Sequence, residues 1–133
     1  MNDRYLFRGK DVESGEWVKG AYGMGDDIIY RWHIADDDPN AAKLYLHEID
    51  PISLGQCTGL RDKNGSLIFE GDIVIPVINE DNYRNRKIVV WNHQKLLYSF
   101  YHERVPSTVQ AYHEHWGGVE IIGNIHDNPE LLS

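Results

Sequence analysis

The sequence has almost no cysteine and no long apolar run, and each shortage excludes a class of protein. Among its 133 residues the one cysteine is Cys57, so no internal disulfide can form and a reducing compartment is expected. No stretch reaches the roughly 18 apolar residues of a membrane-spanning helix. The first residues also lack the basic-then-apolar pattern of a secretory signal. We therefore expect a protein of the cytoplasm with no membrane partner.

Positive charge is also scarce, with 13 basic against 21 acidic residues and a net charge of −8. Duplex nucleic acid requires clustered lysine and arginine that displace counterions, so this composition argues against a duplex partner. The one basic cluster is Arg84, Arg86 and Lys87, next to acidic residues. We interpret it as a solvated hairpin loop. Contact with a nucleic acid through this cluster and nearby aromatic rings is the alternative.

Short β-prone runs separated by turn residues fill the first half of the chain. Runs at residues 5–8 and 16–22 flank a loop with glycine and aspartate and predict a β-hairpin. Residues 28–35 alternate in a period of two, which is typical of a strand. The stretch 43–49 fits either a strand or a short helix, and its alternation favours the strand. The Asp50-Pro51 pair then predicts the start of a helical turn.

The second half shows the same pattern. Asn64-Gly65 predicts a tight hairpin turn, because this pair favours positive φ at both central positions. Pro76 in the apolar run 73–78 predicts an edge or bulge position. The stretch 87–92 is apolar on both faces from Ile88 to Trp91, which predicts a central strand. Further strands over 96–101 and 119–125, a helix over 107–116 and a final helical turn after Asn128 complete the predicted elements.

Three stretches resemble the blocks of the YopX family of small phage and prophage proteins: FRGKDVESGEWVKG, QCTGLRDKNGSLIFEGDIV and VEIIGNIHDNPELL. The resemblance implies a mainly β fold of one domain over residues 1–133. An N-terminal β-hairpin section (1–55) precedes a section that resembles a small SH3-like β-barrel (56–133). No active site is assigned in the family. The motif positions are Thr58, Gly59, Leu60, Asp62, Asn64, Gly65, Glu70, Gly71, Asp72, Gly123, Asn124, Asn128 and Pro129.

The central motif is the second of these stretches, residues 56–74, and its acidic pair has two interpretations. Glu70 and Asp72 are spaced like a catalytic couple, but short acidic side chains at a bend also bind main-chain N–H groups, and we favour this structural role. Gly59, Gly65 and Gly71 lie six residues apart. This spacing matches neither a Walker loop nor a dinucleotide fingerprint, so no cofactor is predicted.

The seven histidines raise the question of a metal site. His113 and His115 are the densest pair, but on the predicted helix their side chains diverge by about 200°. No set of three or four ligands has the usual zinc spacing. A thiol in an apolar strand is a poor nucleophile, so Cys57 is expected to be buried and structural.

The sequence therefore favours a non-enzymatic accessory protein of a phage or prophage, acting in the bacterial cytoplasm through an unknown protein partner or a second copy of itself. A nucleic-acid-binding accessory factor that uses Arg84, Arg86 and Lys87 is the second hypothesis. A metal-dependent enzyme that uses histidines such as His113 and His115 is the third.

Overall fold

A computed structural model describes residues 3–23, 27–35, 38–77, 86–92, 97–101 and 118–132. Within them the chain consists mainly of antiparallel β-strands, with short 3₁₀ turns at Asp3–Tyr5, Pro51–Ser53 and Pro129–Leu132. The predicted mainly β fold is thus confirmed. In this part of the chain no helix has the length and hydropathy of a membrane span. Two compact units are present, Met1–Cys57 and Thr58–Ser133.

The first unit contains four consecutive antiparallel strands. They are β1 (Phe7–Lys10), β2 (Trp17–Gly23), β3 (Ile28–Ala35) and β4 (Asp38–Glu48), in the sheet order β4-β3-β2-β1. β1 and β2 form the predicted hairpin, and the strands predicted over 28–35 and 43–49 are also confirmed. Asp50 caps the turn after β4, because its side chain accepts a hydrogen bond from the Ile52 N–H at 3.1 Å.

One face of this sheet carries the core of the first unit. Val18, Ile29 and Ile49 are buried there, and Tyr22 and Leu54 pack against them. Alternate residues point to the other face. Arg8 and Trp17 lie on that face, with the guanidinium carbon 4.7 Å from the ring centroid, a distance typical of a cation–π contact.

The second unit is built around a four-stranded sheet. Its strands are β7 (Asp72–Pro76), β8 (Lys87–Asn92), β9 (Leu97–Tyr101) and β10 (Val119–Asn124), in the order β10-β7-β8-β9. The predicted central position of residues 87–92 is confirmed. Pro76 ends β7 beyond Ile73 and Val74, the β7 residues that pair with β8. On the other side Pro76 stands opposite Val119 of β10, so β7 is internal and the predicted edge position is wrong. Proline is tolerated there because no described residue of β8 pairs with it.

Strand β7 is buried along its whole length. Because successive side chains point to opposite faces of a strand, Ile73 and Val74 enter two different clusters. Val74 packs with Ile68, Val89, Phe100 and Val119, and Ile73 packs with Ile88 and Leu132. Full burial of one such side chain stabilises a fold by roughly 1.5–3 kcal/mol. β7 is therefore the strand on which the packing of this unit centres.

The closed SH3-like barrel expected over residues 56–133 is not formed by the strands that the structure describes. β5 (Gly55–Arg61) begins in the first unit, where Gln56 pairs with Phe7. β6 (Leu67–Phe69) lies next to β5 and does not join the four-stranded sheet. That sheet ends at β9 and β10, which do not pair with each other within the described ranges. The helix predicted over 107–116 lies outside those ranges.

The turn at Asn64-Gly65 is confirmed, but its predicted conformation is wrong. Gly65 has a φ of 85°, whereas Asn64 does not have a positive φ. Asp62 explains the difference, because its Oδ1 accepts hydrogen bonds from the N–H groups of Asn64 at 3.0 Å and Ser66 at 2.9 Å. This side-chain turn leaves only Gly65 in the left-handed region.

The second carboxylate oxygen of Asp62 reaches β10, where Oδ2 accepts a hydrogen bond from the Ile121 N–H at 3.1 Å. Asp62 is only 8% exposed. Burial raises the pKa of its carboxyl group, but the hydrogen bonds from Ile121, Ser66 and Asn64, together with the Lys63 ammonium, outweigh burial and hold the pKa below the ordinary value. Asp62 therefore joins the β5–β6 turn to β10 through a carboxylate that favours its charged form.

A second polar network closes the end of β10. The Asn124 N–H donates to Asn128 Oδ1 at 3.2 Å, and the Asn128 N–H donates to the Asn124 carbonyl at 2.9 Å. Asn124 Oδ1 also accepts hydrogen bonds from the N–H groups of His126 and Asp127. Gly123 lies against this network, where an added Cβ would be 2.6 Å from Asn128 Oδ1. The predicted helical turn after Asn128 is confirmed as a 3₁₀ turn.

We expect Asp62→Asn to lower the free energy of unfolding by about 2 kcal/mol at pH 7, because a charged acceptor of three main-chain hydrogen bonds is lost. Since the pKa of Asp62 is lowered in the fold, its contribution is present above the unfolded value of 3.8. That contribution disappears as the pH falls through the folded pKa. Urea denaturation at pH 7 and pH 3 measures both effects, with exposed Glu130→Gln as the control. A variant as stable as the wild type at pH 7 contradicts this role.

We expect Gly123→Ala to lower the free energy of unfolding by about 1–3 kcal/mol, because the new methyl group overlaps Asn128 Oδ1. A double-mutant cycle with Asn128→Ala identifies the cause. The double variant should lose less than the sum of the two single variants, since the oxygen that the methyl group meets is gone. Additive losses in thermal denaturation would show that the close approach is not the reason for this glycine.

Candidate functional site

The polar residues of the central motif hold strands and turns. Asp72 is buried, and its Oδ2 accepts a hydrogen bond from the Phe69 N–H at 2.7 Å. Thr58 Oγ1 donates to the Ile68 carbonyl at 2.9 Å and accepts from the Leu60 N–H at 3.1 Å. These contacts fix the β5–β6 hairpin and the bend before β7.

The remaining motif positions lie at turns or strand ends. Gly59 and Gly71 have positive φ values of 84° and 91°. Gly71 also bonds through its main chain to Val89 and Ile125. Glu70 lies half-buried in the turn before β7. Pro129 begins the last 3₁₀ turn.

The basic cluster is engaged within the second unit where the structure describes it. Arg84 lies outside the described residues. Arg86 Nη1 donates to the Leu131 carbonyl at 3.0 Å. Lys87 is 9% exposed at the start of β8, and its burial lowers the pKa of the ammonium group. The two described side chains thus contact the chain itself.

The histidine pair His113 and His115 lies outside the described residues. Among the residues that are described, no group of three or more histidine, cysteine, aspartate or glutamate side chains is placed to hold a metal ion. The Cys57 thiol is fully buried in β5.

Strand β4 ends the sheet of the first unit and has β3 on one side only in the described part of the chain. On the side away from β3, main-chain groups at the end of β4 and directly after it form hydrogen bonds with the end of β1 and the residues that follow it. The Val12 N–H donates to the Glu48 carbonyl at 3.0 Å, and the Asp50 N–H donates to the Lys10 carbonyl at 2.8 Å. The Ile49 N–H points the other way, to the Asp27 carbonyl at 2.9 Å.

This pattern fixes the direction of the main-chain groups farther along β4. In an antiparallel ladder the N–H and C=O of one residue point to the same side, and the side alternates along the strand. Because the main-chain carbonyl of Glu48 points outward, the N–H and C=O groups of Leu46 and Leu44 also point outward. In the register these two residues stand opposite Tyr30 and Trp32 of β3. No strand among the described residues pairs with Leu44 and Leu46 on that outer side. We call the outer side of residues 44–47 the β4 edge.

The β4 edge is also apolar and exposed. Leu44 is 45% exposed and Leu46 is 57% exposed, and both lie on the face opposite the Ile29–Ile49 core. Proteins usually protect an edge strand with charges, prolines or bulges, since open main-chain groups pair readily with another chain. Here Lys43 and Glu48 flank the edge, and residues 44–47 between them include no proline, lysine, arginine or acidic residue.

A cavity of about 610 Å³ adjoins the β4 edge. It is lined by the end of β4 and by the turn between β1 and β2, through Asp11, Val12, Glu13, Ser14, Glu16, Leu46, His47 and Glu48. This described lining contains four carboxylates and no lysine or arginine. The cavity wall is therefore acidic.

Asp11 organises this wall. Its Oδ2 lies 2.9 Å from His47 Nδ1, and its Oδ1 accepts hydrogen bonds from the N–H groups of Glu13 and Ser14. The hydrogen bond with His47 and those from Ser14 and Glu13 outweigh burial and hold the pKa of Asp11 below its ordinary value. These bonds turn the chain away from β4 directly after Val12.

The sequence pattern predicts β4 as a strand but does not predict that β4 lies at the edge of the sheet. The order of strands in a sheet depends on contacts between residues that are far apart in the sequence. The pairing of Asp11 with His47, 36 residues apart, has no local signal either. The alternating Leu44 and Leu46 carried a usable signal, since apolar residues that do not join a core indicate a binding surface.

Comparison with known proteins places the chain in a family. No curated protein matches it. Among solved structures, the crystal structure of protein EF1440 from Enterococcus faecalis is similar, with a TM-score of 0.55, 25% sequence identity and 96% of each chain covered. The family model described as YopX protein matches residues 6–133, and neither description names an enzymatic activity. This chain therefore belongs to the YopX protein family.

Proposed function

We propose that this protein is a phage- or prophage-derived accessory protein that acts without enzymatic chemistry in the bacterial cytoplasm. It binds a protein chain, either a partner or a second copy, by adding that chain as a strand to its first unit. The observation that carries this proposal is the β4 edge, where the outward main-chain groups of Leu44 and Leu46 have no neighbouring strand in the described sheet.

Strand addition uses forces that are already present at this edge. The outward N–H and C=O groups of Leu44 and Leu46 offer up to four main-chain hydrogen bonds. The side chains of the same two residues offer apolar surface to alternate side chains of the added strand. Because β3 already holds β4 in an extended conformation, binding requires little ordering of this protein, which lowers the entropy cost of association.

The two other hypotheses predict different behaviour in solution. A nucleic-acid-binding factor that uses Arg84, Arg86 and Lys87 would bind single-stranded DNA with an affinity that falls steeply with salt. The triple alanine variant at these positions would lose that binding. A metal-dependent enzyme that uses His113 and His115 would contain stoichiometric zinc when it is purified without a tag. Either result would favour that hypothesis over strand addition.

We expect the double variant Leu44→Lys/Leu46→Lys to lose its partner, because two ammonium groups replace apolar contacts and oppose strand addition. The matched control is Ile52→Lys, since Ile52 is 81% exposed in the same unit but lies in the 3₁₀ turn after β4 and not in the β4 edge. Affinity capture from a bacterial lysate with mass spectrometry, together with sedimentation velocity of the pure protein, measures both kinds of association.

The wild type and Ile52→Lys should retain the same stoichiometric partner or the same dimer, while the edge variant loses at least tenfold in affinity. Thermal denaturation checks that all three proteins are folded. An edge variant that keeps the partner with unchanged affinity would show that the binding surface lies elsewhere.

A further inference from the structure

We infer that the strand added at the β4 edge is an extended basic segment of another protein, with lysine or arginine at its N-terminal end followed by alternating apolar residues. The inference rests on the proposed function and specifies the chemistry of the partner. It follows from three features of the edge. They are the place where the pairing of Val12 with β4 stops, the charge of the residues at that place, and the geometry that two paired copies of β4 would have.

The existing pairing sets the path of the added segment. Val12 pairs antiparallel with Glu48 on the outer side of β4, and the chain then leaves the edge at Glu13 and Ser14. An added strand of the same direction continues where Val12 stops and passes Leu46 and then Leu44. Its N-terminal end therefore lies at the cavity, and its side chains alternate between the Leu44–Leu46 face and the opposite face.

The charge at that end selects a basic residue. Glu13, Glu16 and Glu48 line the cavity and are exposed, and none of them forms an ion pair with a described residue. Asp11 is already paired with His47. Three carboxylates without a cation attract lysine or arginine and repel an acidic chain, which gives both selectivity and faster association.

The same charges disfavour a second copy of this chain as the occupant. If the β4 strands of two copies paired antiparallel, the twofold axis would stand perpendicular to the sheet. Two residues directly opposite each other would then have their side chains on the same face of the sheet. Lys43 and Glu48 differ in parity along β4 and therefore lie on opposite faces, so no self-register places them opposite each other. A second copy would also bring its own net charge of −8.

Three labelled peptides of equal length test this inference. Each has the same alternating valine–threonine segment, preceded by Lys-Arg-Lys, by Ser-Asn-Ser or by Glu-Asp-Glu. Fluorescence anisotropy measures their binding to the full chain at low and at high salt. We expect the basic peptide to bind on the order of tenfold more tightly than the neutral one, with an advantage that shrinks as salt screens the charges.

Two variants separate the contribution of the cavity carboxylates to peptide binding from that of the β4 edge. Glu13→Gln/Glu16→Gln should remove most of the preference for the basic peptide and leave binding of the neutral peptide unchanged. Leu44→Lys/Leu46→Lys should weaken binding of every peptide. Glu130→Gln and Ile52→Lys are the matched controls, since both side chains are exposed and neither residue belongs to the β4 edge or lines the cavity.

The outcomes distinguish the two claims. Equal binding of all three peptides, lost in the edge variant, overturns the basic segment and leaves strand addition standing. A dimer in sedimentation velocity that dissociates in the edge variant also overturns it, because a second copy then occupies the edge. Peptide binding that the edge variant retains overturns strand addition itself. Failure of every peptide to bind the wild type overturns both claims.

Discussion

The pairing of main-chain hydrogen-bond groups is the constraint on which this structure depends. A mainly β chain must give each strand a neighbour or leave a row of open N–H and C=O groups. In the second unit, short polar side chains complete this pairing where strands end. Asp62 is the central case, because one carboxylate accepts main-chain hydrogen bonds from both its own turn and β10. In the first unit no strand among the described residues satisfies this constraint along the β4 edge.

This contrast separates structural from functional residues. The motif residues Asp62, Asp72 and Asn124 bind main-chain groups of their own unit, and burial of the first two leaves little access for a ligand. The exposed residues Leu44 and Leu46 lie in a stretch without motif positions. In the proposed function, the family motif maintains the β fold and the binding edge lies outside the motif.

Local patterns predicted the elements better than their assembly. Alternation predicted β3, and the apolar run from Ile88 to Trp91 predicted a central strand, because the polarity of successive side chains indicates which faces of a strand are buried. The conformation at Asn64 was mispredicted, since a side chain two residues earlier overrides the usual preference of Asn-Gly. The closed barrel was not recovered in the described strands, because closure depends on which strands meet, and no local pattern encodes that. The β4 edge and the Asp11–His47 pair escaped prediction for the same reason.

Residue-resolved amide hydrogen exchange of the pure monomer shows whether the outer side of β4 is open. If the outer side of β4 is open, the amides of Leu44 and Leu46 exchange rapidly, while those of Tyr45 and His47, which face β3, are protected. Addition of a bound strand should then protect Leu44 and Leu46 selectively. Equal protection of all four amides in the monomer, before any partner is added, would contradict an open edge and with it the proposed mode of binding.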